Sequence, residues 1–146
     1  MSLSVFVDQN ETVVVTRLGE HHETVSEAGR VILAPLFDKV HRYDTSRQRY
    51  EEEIEIIARD DKAVRVEFRA EYQLEDAEQA FNEVSDVEKA TQSLLETKVR
   101  AVAADQQVDD FSPSAVQQDV EGEVAEPLSN WGVSIHSVNI RGVQRV

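Results

Sequence analysis

Val64-Arg65-Val66-Glu67-Phe68-Arg69-Ala70-Glu71-Tyr72-Gln73-Leu74 is the stretch on which the fold turns. Its even-numbered residues are apolar or aromatic, and its odd-numbered residues are charged or amide. Successive side chains of a strand point to opposite faces, so a period of two puts one face on a core and the other in water. The stretch therefore predicts a strand of an antiparallel sheet with one solvated side.

Working upstream, Asp60-Asp61-Lys62 reads as a turn, and Arg47 to Ala58 reads as another strand, with Tyr50, Ile54 and Ile56 on one parity. Glu11 to Leu18 is rich in β-branched residues and is stopped by Gly19, a further strand signal. The polar segment Glu20 to Ser26 reads as a solvated loop leading to Gly29. Val31-Ile32-Leu33 and Phe37 to Tyr43 read as two short extended pieces. Pro35 between them cannot donate to a ladder and marks a bend or an edge.

Downstream, the period changes. Ala77, Ala80, Phe81 and Val84 form a short helical stripe. Ser85-Asp86-Val87-Glu88 matches a capping box, which places Ser85 as the N-cap. Val87, Ala90, Leu94, Leu95, Val99 and Val102 then line one helix face, and the helix should fade near Ala104-Asp105. Ser112-Pro113 is an N-cap followed by a first-turn proline. Val116, Val120, Val124, Leu128 and Trp131 mark a second amphipathic helix. Pro127 predicts a kink or an early end there, and Gly132 is the stop. In the tail, Val133 and Ile135 share one parity and Val138 and Ile140 the other. A β-bulge, or a strand buried on both faces, would reconcile them. Strands, then helices, then one returning strand define an α+β fold, a single domain over residues 1–146.

The 146 residues carry a net charge of −14. Such a surface repels phosphate backbones and argues against nucleic acid as a partner. No run approaches the roughly 18 apolar residues of a membrane span, and the chain itself is expected to be soluble. Cysteine is absent, which excludes disulfides, thiolate metal sites and cysteine nucleophiles.

The chain offers little in the way of chemistry. His21-His22 could invite a metal, and with nearby acids would be the basis of a metal-dependent hydrolase. Adjacent side chains of an extended segment diverge, however, and the pair reads better as part of a solvated loop. His41 and His136 read as sheet histidines, and Glu51-Glu52-Glu53 and Asp60-Asp61 as solvated edges or turns. No phosphate-binding glycine loop and no H-E-x-x-H motif occurs. No catalytic residue, cofactor site or metal site is assigned, and the chain is not expected to be an enzyme. The alternating face Arg65, Glu67, Arg69 and Glu71 admits two readings. One is a wet sheet face with ordinary cross-strand pairs; the other is a self-complementary surface between identical subunits. Trp131 reads as a plug beneath the final strand rather than an exposed docking residue.

Thr12-Val13-Val14-Val15-Thr16-Arg17-Leu18-Gly19 resembles the opening strand of the stomatin/prohibitin/flotillin (SPFH, or Band 7) domain. Glu27 to Asp38 is similar to that family's glycine, apolar run and proline-x-hydrophobic-aspartate motif, carried here by Gly29, Pro35 and Asp38. Ala28 stands where the family usually has proline. Asp44 to Arg47 and Asp60 to Val66 fit the segments that follow. Trp131-Gly132 and the strand after it resemble the C-terminal signature. The stomatin-like and HflC-like protease-modulator branches are the most similar.

The resemblance implies a non-enzymatic scaffold that self-associates, or assembles with a paralogous subunit. Such proteins organise membrane microdomains and modulate client membrane proteases or channels. It also implies that this chain is either an excised core, parted from an N-terminal membrane anchor and a C-terminal coiled coil that would hold the full protein at the membrane, or an unusual minimal member. A monomeric partner-binding adaptor is the alternative without self-assembly.

Overall fold

The computed structural model describes residues 3–26, 29–33 and 38–146. Among the described residues seven strands come first: β1 (Leu3–Val7), β2 (Glu11–Arg17), β3 (Glu20–Val25), β4 (Gly29–Leu33), β5 (Asp38–Asp44), β6 (Arg47–Ile57) and β7 (Ala63–Leu74). Helices α1 (Ala77–Glu83), α2 (Val87–Ala104) and α3 (Pro113–Asn130) follow, and β8 (Val133–Arg145) returns. The class is α+β, as the order of patterns predicts. The strands form three antiparallel sheets in the orders β1-β4, β3-β2-β5 and β6-β7-β8.

β7 is the centre of the largest sheet, and all six of its even-numbered side chains are buried. Opposite them lie Leu95, Val99 and Val102 of α2 and Val116, Val120, Val124 and Leu128 of α3, in one continuous core. The stripe at spacings of three and four is what lets each helix bury one face while leaving the other wet. β2 is buried along nearly its whole length: Val14 joins the main core, whereas Val13 and Val15 pack with Val7, Val25 and Val40 in a smaller cluster.

Several expectations need correction. The polar segment after Gly19 is the edge strand β3, not a loop. Its backbone pairs with β2 while most of its side chains stay wet, so it carries no apolar alternation. The cap of α2 is Asp86, whose carboxylate accepts from the Lys89 amide at 3.1 Å, one residue later than the predicted Ser85. Asp76 caps α1 in the same way. α3 does not stop at Pro127 but continues to Asn130. The proline removes one donor, yet the carbonyl it leaves belongs to the exposed Glu123, where water can replace the bond.

The predicted bulge in the tail exists, with His136 as the extra residue opposite Glu71 and Tyr72. A second bulge, at Arg141, lets the strand run on to Arg145. Ser112 caps α3 and the bulge falls where parity slips, as expected. Pro35 and Ala28 lie outside the described residues.

Two glycines hold the design. Leu18 (φ 55°) and Gly19 (φ 86°) are both left-handed, and Arg17 pairs with Glu20, so this is a two-residue hairpin turn of the mirror-image type I. Gly132 (φ 75°) ends α3, and a Cβ there would stand 2.2 Å from the Asp76 carbonyl oxygen. Its own carbonyl accepts from the amides of Glu75 and Asp76 at 2.8 and 3.1 Å, tying the α3–β8 junction to the β7–α1 junction.

Candidate functional site

The wet face of the β6-β7-β8 sheet places the four predicted interface residues side by side. Register sets Arg65 opposite Glu55, Glu67 opposite Glu53, Arg69 opposite Glu51 and Glu71 opposite Arg49. Arg65 reaches Glu53 at 2.9 Å and Glu55 at 3.0 Å. The hydrogen bond to Glu55, then the charges of both carboxylates, raise its pKa above the ordinary arginine value. Arg69 meets Glu51 at 3.7 Å, and Glu71 meets Arg47 at 3.5 Å and Arg49 at 4.0 Å. Glu67 enters no ion pair among the described residues and faces a like charge, Glu53, across the ladder. These pairs lie at the wet surface of the sheet, where water screens them, and each is of small effect.

The two edges of this sheet differ. On β8, α3 covers the backbone. Gln117 Oε1 accepts from the Ile140 amide at 2.8 Å, and Glu121 Oε1 accepts from the Val138 amide at 2.9 Å. These side chains stand at i and i+4 on the helix and so present one face to two strand amides. On β6, the Glu55 carbonyl faces away from β7, because Arg100 Nη1 donates to it from α2 at 2.8 Å. Backbone groups of a strand alternate sides, so Arg47, Arg49, Glu51 and Glu53 present theirs outward as well. Of these, the Glu53 amide turns to the Glu52 carboxylate at 3.2 Å. Those of Arg47, Arg49 and Glu51 have no partner among the described residues. The outward residues read Arg, Arg, Glu, Glu, Glu from 47 to 55, positive at one end and negative at the other. On the opposite face of the strand, Tyr50 packs edge-on against Phe68 at 5.8 Å, and its pKa is pushed up to about 12 by burial, with the Glu52 charge adding to it.

The other predicted residues are structural. The Asp38 side chain is fully buried and grips Arg17 through two oxygens, at 2.7 and 3.0 Å, across the β2–β5 ladder. Gly29 opens β4 opposite Val7. Trp131 is the C-cap of α3, partly buried against the core. The two histidines of the pair separate: His22 is the extra residue of a bulge, while His21 Nε2 meets Thr24 Oγ1 at 2.8 Å and Glu78 Oε1 at 3.7 Å. The described residues hold no group of three or more His, Asp or Glu side chains gathered as metal ligands. Sequence reasoning missed Gln117, Glu121, Arg100 and Gln79; the last donates from α1 to the Ser129 and Asn130 carbonyls at the end of α3. The only signal for Gln117 and Glu121 was their four-residue spacing beside the valine stripe.

Among the described residues no helix is long and apolar enough to cross a membrane. Over 137 residues the chain is 26% identical to an uncharacterized protein of Methanothermobacter thermautotrophicus, covering 92% of this chain and 43% of that protein. The chain thus spans less than half the length of that curated relative. The profile described as the SPFH domain / Band 7 family matches residues 5–144. Members of this family are in general membrane-associated, non-enzymatic scaffolds, and this chain belongs to it.

Proposed function

We propose that this domain acts as a non-enzymatic scaffold that assembles with copies of itself, or with a paralogous subunit, through the β6 edge and the charged face beside it. In the full-length protein this assembly would sit at a membrane, organise lipid microdomains and modulate client membrane proteases or channels. The observation that carries the reading is the inequality of the two sheet edges. A long strand edge with open backbone groups is a template for another strand, and proteins normally cover or blunt such edges. Here one edge is covered by a helix and the other is not.

The charge order on β6 selects the arrangement. An antiparallel pair of β6 strands centred on Tyr50 sets Arg47 of one copy opposite Glu53 of the other, and Arg49 opposite Glu51. The two-fold axis repeats both pairs. The exposed Glu52 carboxylate swings aside to free the Glu53 amide. Arg100 limits the new ladder by holding the Glu55 carbonyl.

Sedimentation of three proteins tests this: wild type, the double variant Arg47→Glu/Arg49→Glu, and Glu51→Arg/Glu53→Arg. Wild type should dimerise with concentration and weaken in salt, each variant should stay monomeric, and mixing the two variants should restore the dimer. A wild-type chain that stays monomeric at every concentration, alone and within the longer protein, would defeat the proposal and favour a one-to-one adaptor.

A further inference from the structure

A second site lies where the N-terminal strands meet α2. A cavity of about 480 Å³ opens there between β5, the end of β7 and the first turn of α2. Tyr43 and Tyr72 form aromatic walls, and Leu74, Val87 and Val133 add apolar surface. The exposed carboxylates of Asp44, Asp86 and Glu88 stand around the mouth. Arg42 and His41 also border it, but both are engaged elsewhere. Arg42 Nη1 is bound to the Phe6 carbonyl at 3.0 Å and to Glu11 at 2.6 Å, and the His41 ring packs on Phe81 at 4.7 Å. Asp44 is held by Ser46 and by the Gln48 side chain, whereas Asp86 holds the Lys89 amide through Oδ1 and has its second oxygen without a hydrogen-bond partner among the described residues.

Thr91 is the second observation. It lines the cavity from α2, its residue is 0% exposed, and its Oγ1 has no hydrogen-bond partner among the described residues. Buried hydroxyls are almost always bonded, so an unbonded hydroxyl on a residue that lines a cavity marks a place where a polar ligand atom belongs. Three carboxylates, two tyrosine walls and an apolar lining favour a cation on an apolar stem: the carboxylates take the charge, and the rings attract it through their faces.

We infer that this cleft binds the side chain of an arginine or lysine presented by a partner polypeptide, with Asp86 and Glu88 taking the cation and Thr91 Oγ1 accepting from it. A mouth open at the surface suits a side chain whose backbone stays outside, and a chain of net charge −14 draws basic partners over distance. The inference does not depend on the β6 edge, and neither result decides the other.

NMR titration of the full chain tests it with four probes: a blocked Gly-Arg-Gly peptide, its lysine counterpart, the same peptide with neutral, isosteric citrulline, and free propylguanidine. The arginine peptide should shift the resonances of Tyr72, Glu88 and Thr91 saturably, with the lysine peptide weaker and the citrulline peptide silent. Asp86→Asn with Glu88→Gln keeps the helix cap and should weaken arginine binding about tenfold. Thr91→Val should weaken it too while raising the melting temperature, a split that a merely structural threonine would not give. Equal shifts from citrulline, or no saturable shift from either cationic peptide, would overturn the inference. Tighter binding of propylguanidine than of the arginine peptide would overturn the polypeptide as the source.

Discussion

The β8 and β6 edges belong to one sheet and share one central strand, yet they are finished by different means. β8 lies against α3, whose Gln117 and Glu121 take the strand amides that no neighbouring strand takes. On β6 the one outward backbone group that α2 takes among the described residues is the Glu55 carbonyl, through Arg100, and the edge otherwise shows the open groups of Arg47, Arg49 and Glu51 and a polarised row of charges. Both helices bury an apolar stripe in the same core, so hydrophobic packing does not separate the two edges. The polar flank of each helix does. An edge is closed by a pair of acceptors at the right spacing, and left open where the flank offers a single donor.

The contrast can be broken most severely at Gly132. Gly132→Ala would drive a Cβ into the Asp76 carbonyl and force an alanine into a left-handed backbone. It should cost about 3 kcal/mol or more, or prevent folding, as read by urea denaturation. Less severe is Gln117→Ala with Glu121→Ala, which strands the Val138 and Ile140 amides. Each loss should cost about 1–3 kcal/mol, and the uncovered β8 edge should raise concentration-dependent aggregation in light scattering.

The Tyr50 ring offers a pH handle on the other edge. Its pKa is raised in the folded state, so its contribution to stability is complete below the ordinary tyrosine pKa of about 10 and is lost as pH rises toward about 12. Burial raises the pKa of Tyr43 and Tyr72 as well. Ultraviolet titration should therefore show all three tyrosines ionising late with Tyr50 the last, and Tyr50→Phe should lessen the alkaline loss of stability. The smallest effect is expected from Arg100→Ala. It should change stability by roughly 0.5–1.5 kcal/mol, yet it frees the Glu55 carbonyl and should strengthen self-association in sedimentation. Unchanged association would show that Arg100 does not limit the edge.

Much of this was legible in the residues because burial imposes a period. The β7 alternation, the α3 valine stripe and the bulge at His136 all follow from which side chains must face the core. β3 was not legible, because an edge strand held by its backbone needs no apolar pattern and its side chains may all be polar. The α2 cap shifted from Ser85 to Asp86 because neighbouring residues share the same capping chemistry and only geometry chooses between them. The alternating charges of β7 were visible, but the row on β6 acquires meaning only once that strand is known to be the open edge. The cover on β8 could not be read either: it joins side chains of one element to amides of another, and no local pattern records such a contact.

The junction at Gly132 has a consequence for the order of events on the ribosome. β7 finds its second neighbour in β8, and the turn leading into α1 finds its acceptor at Gly132, both made long after β7 has emerged. Until then the half-finished chain exposes a strand rich in valine and aromatic residues with one side unpaired. Closing such distant contacts is slow, and nascent chains in that condition are the ones that bind chaperones. The same glycine that ends a helix thus sets the moment at which the newborn protein stops being vulnerable.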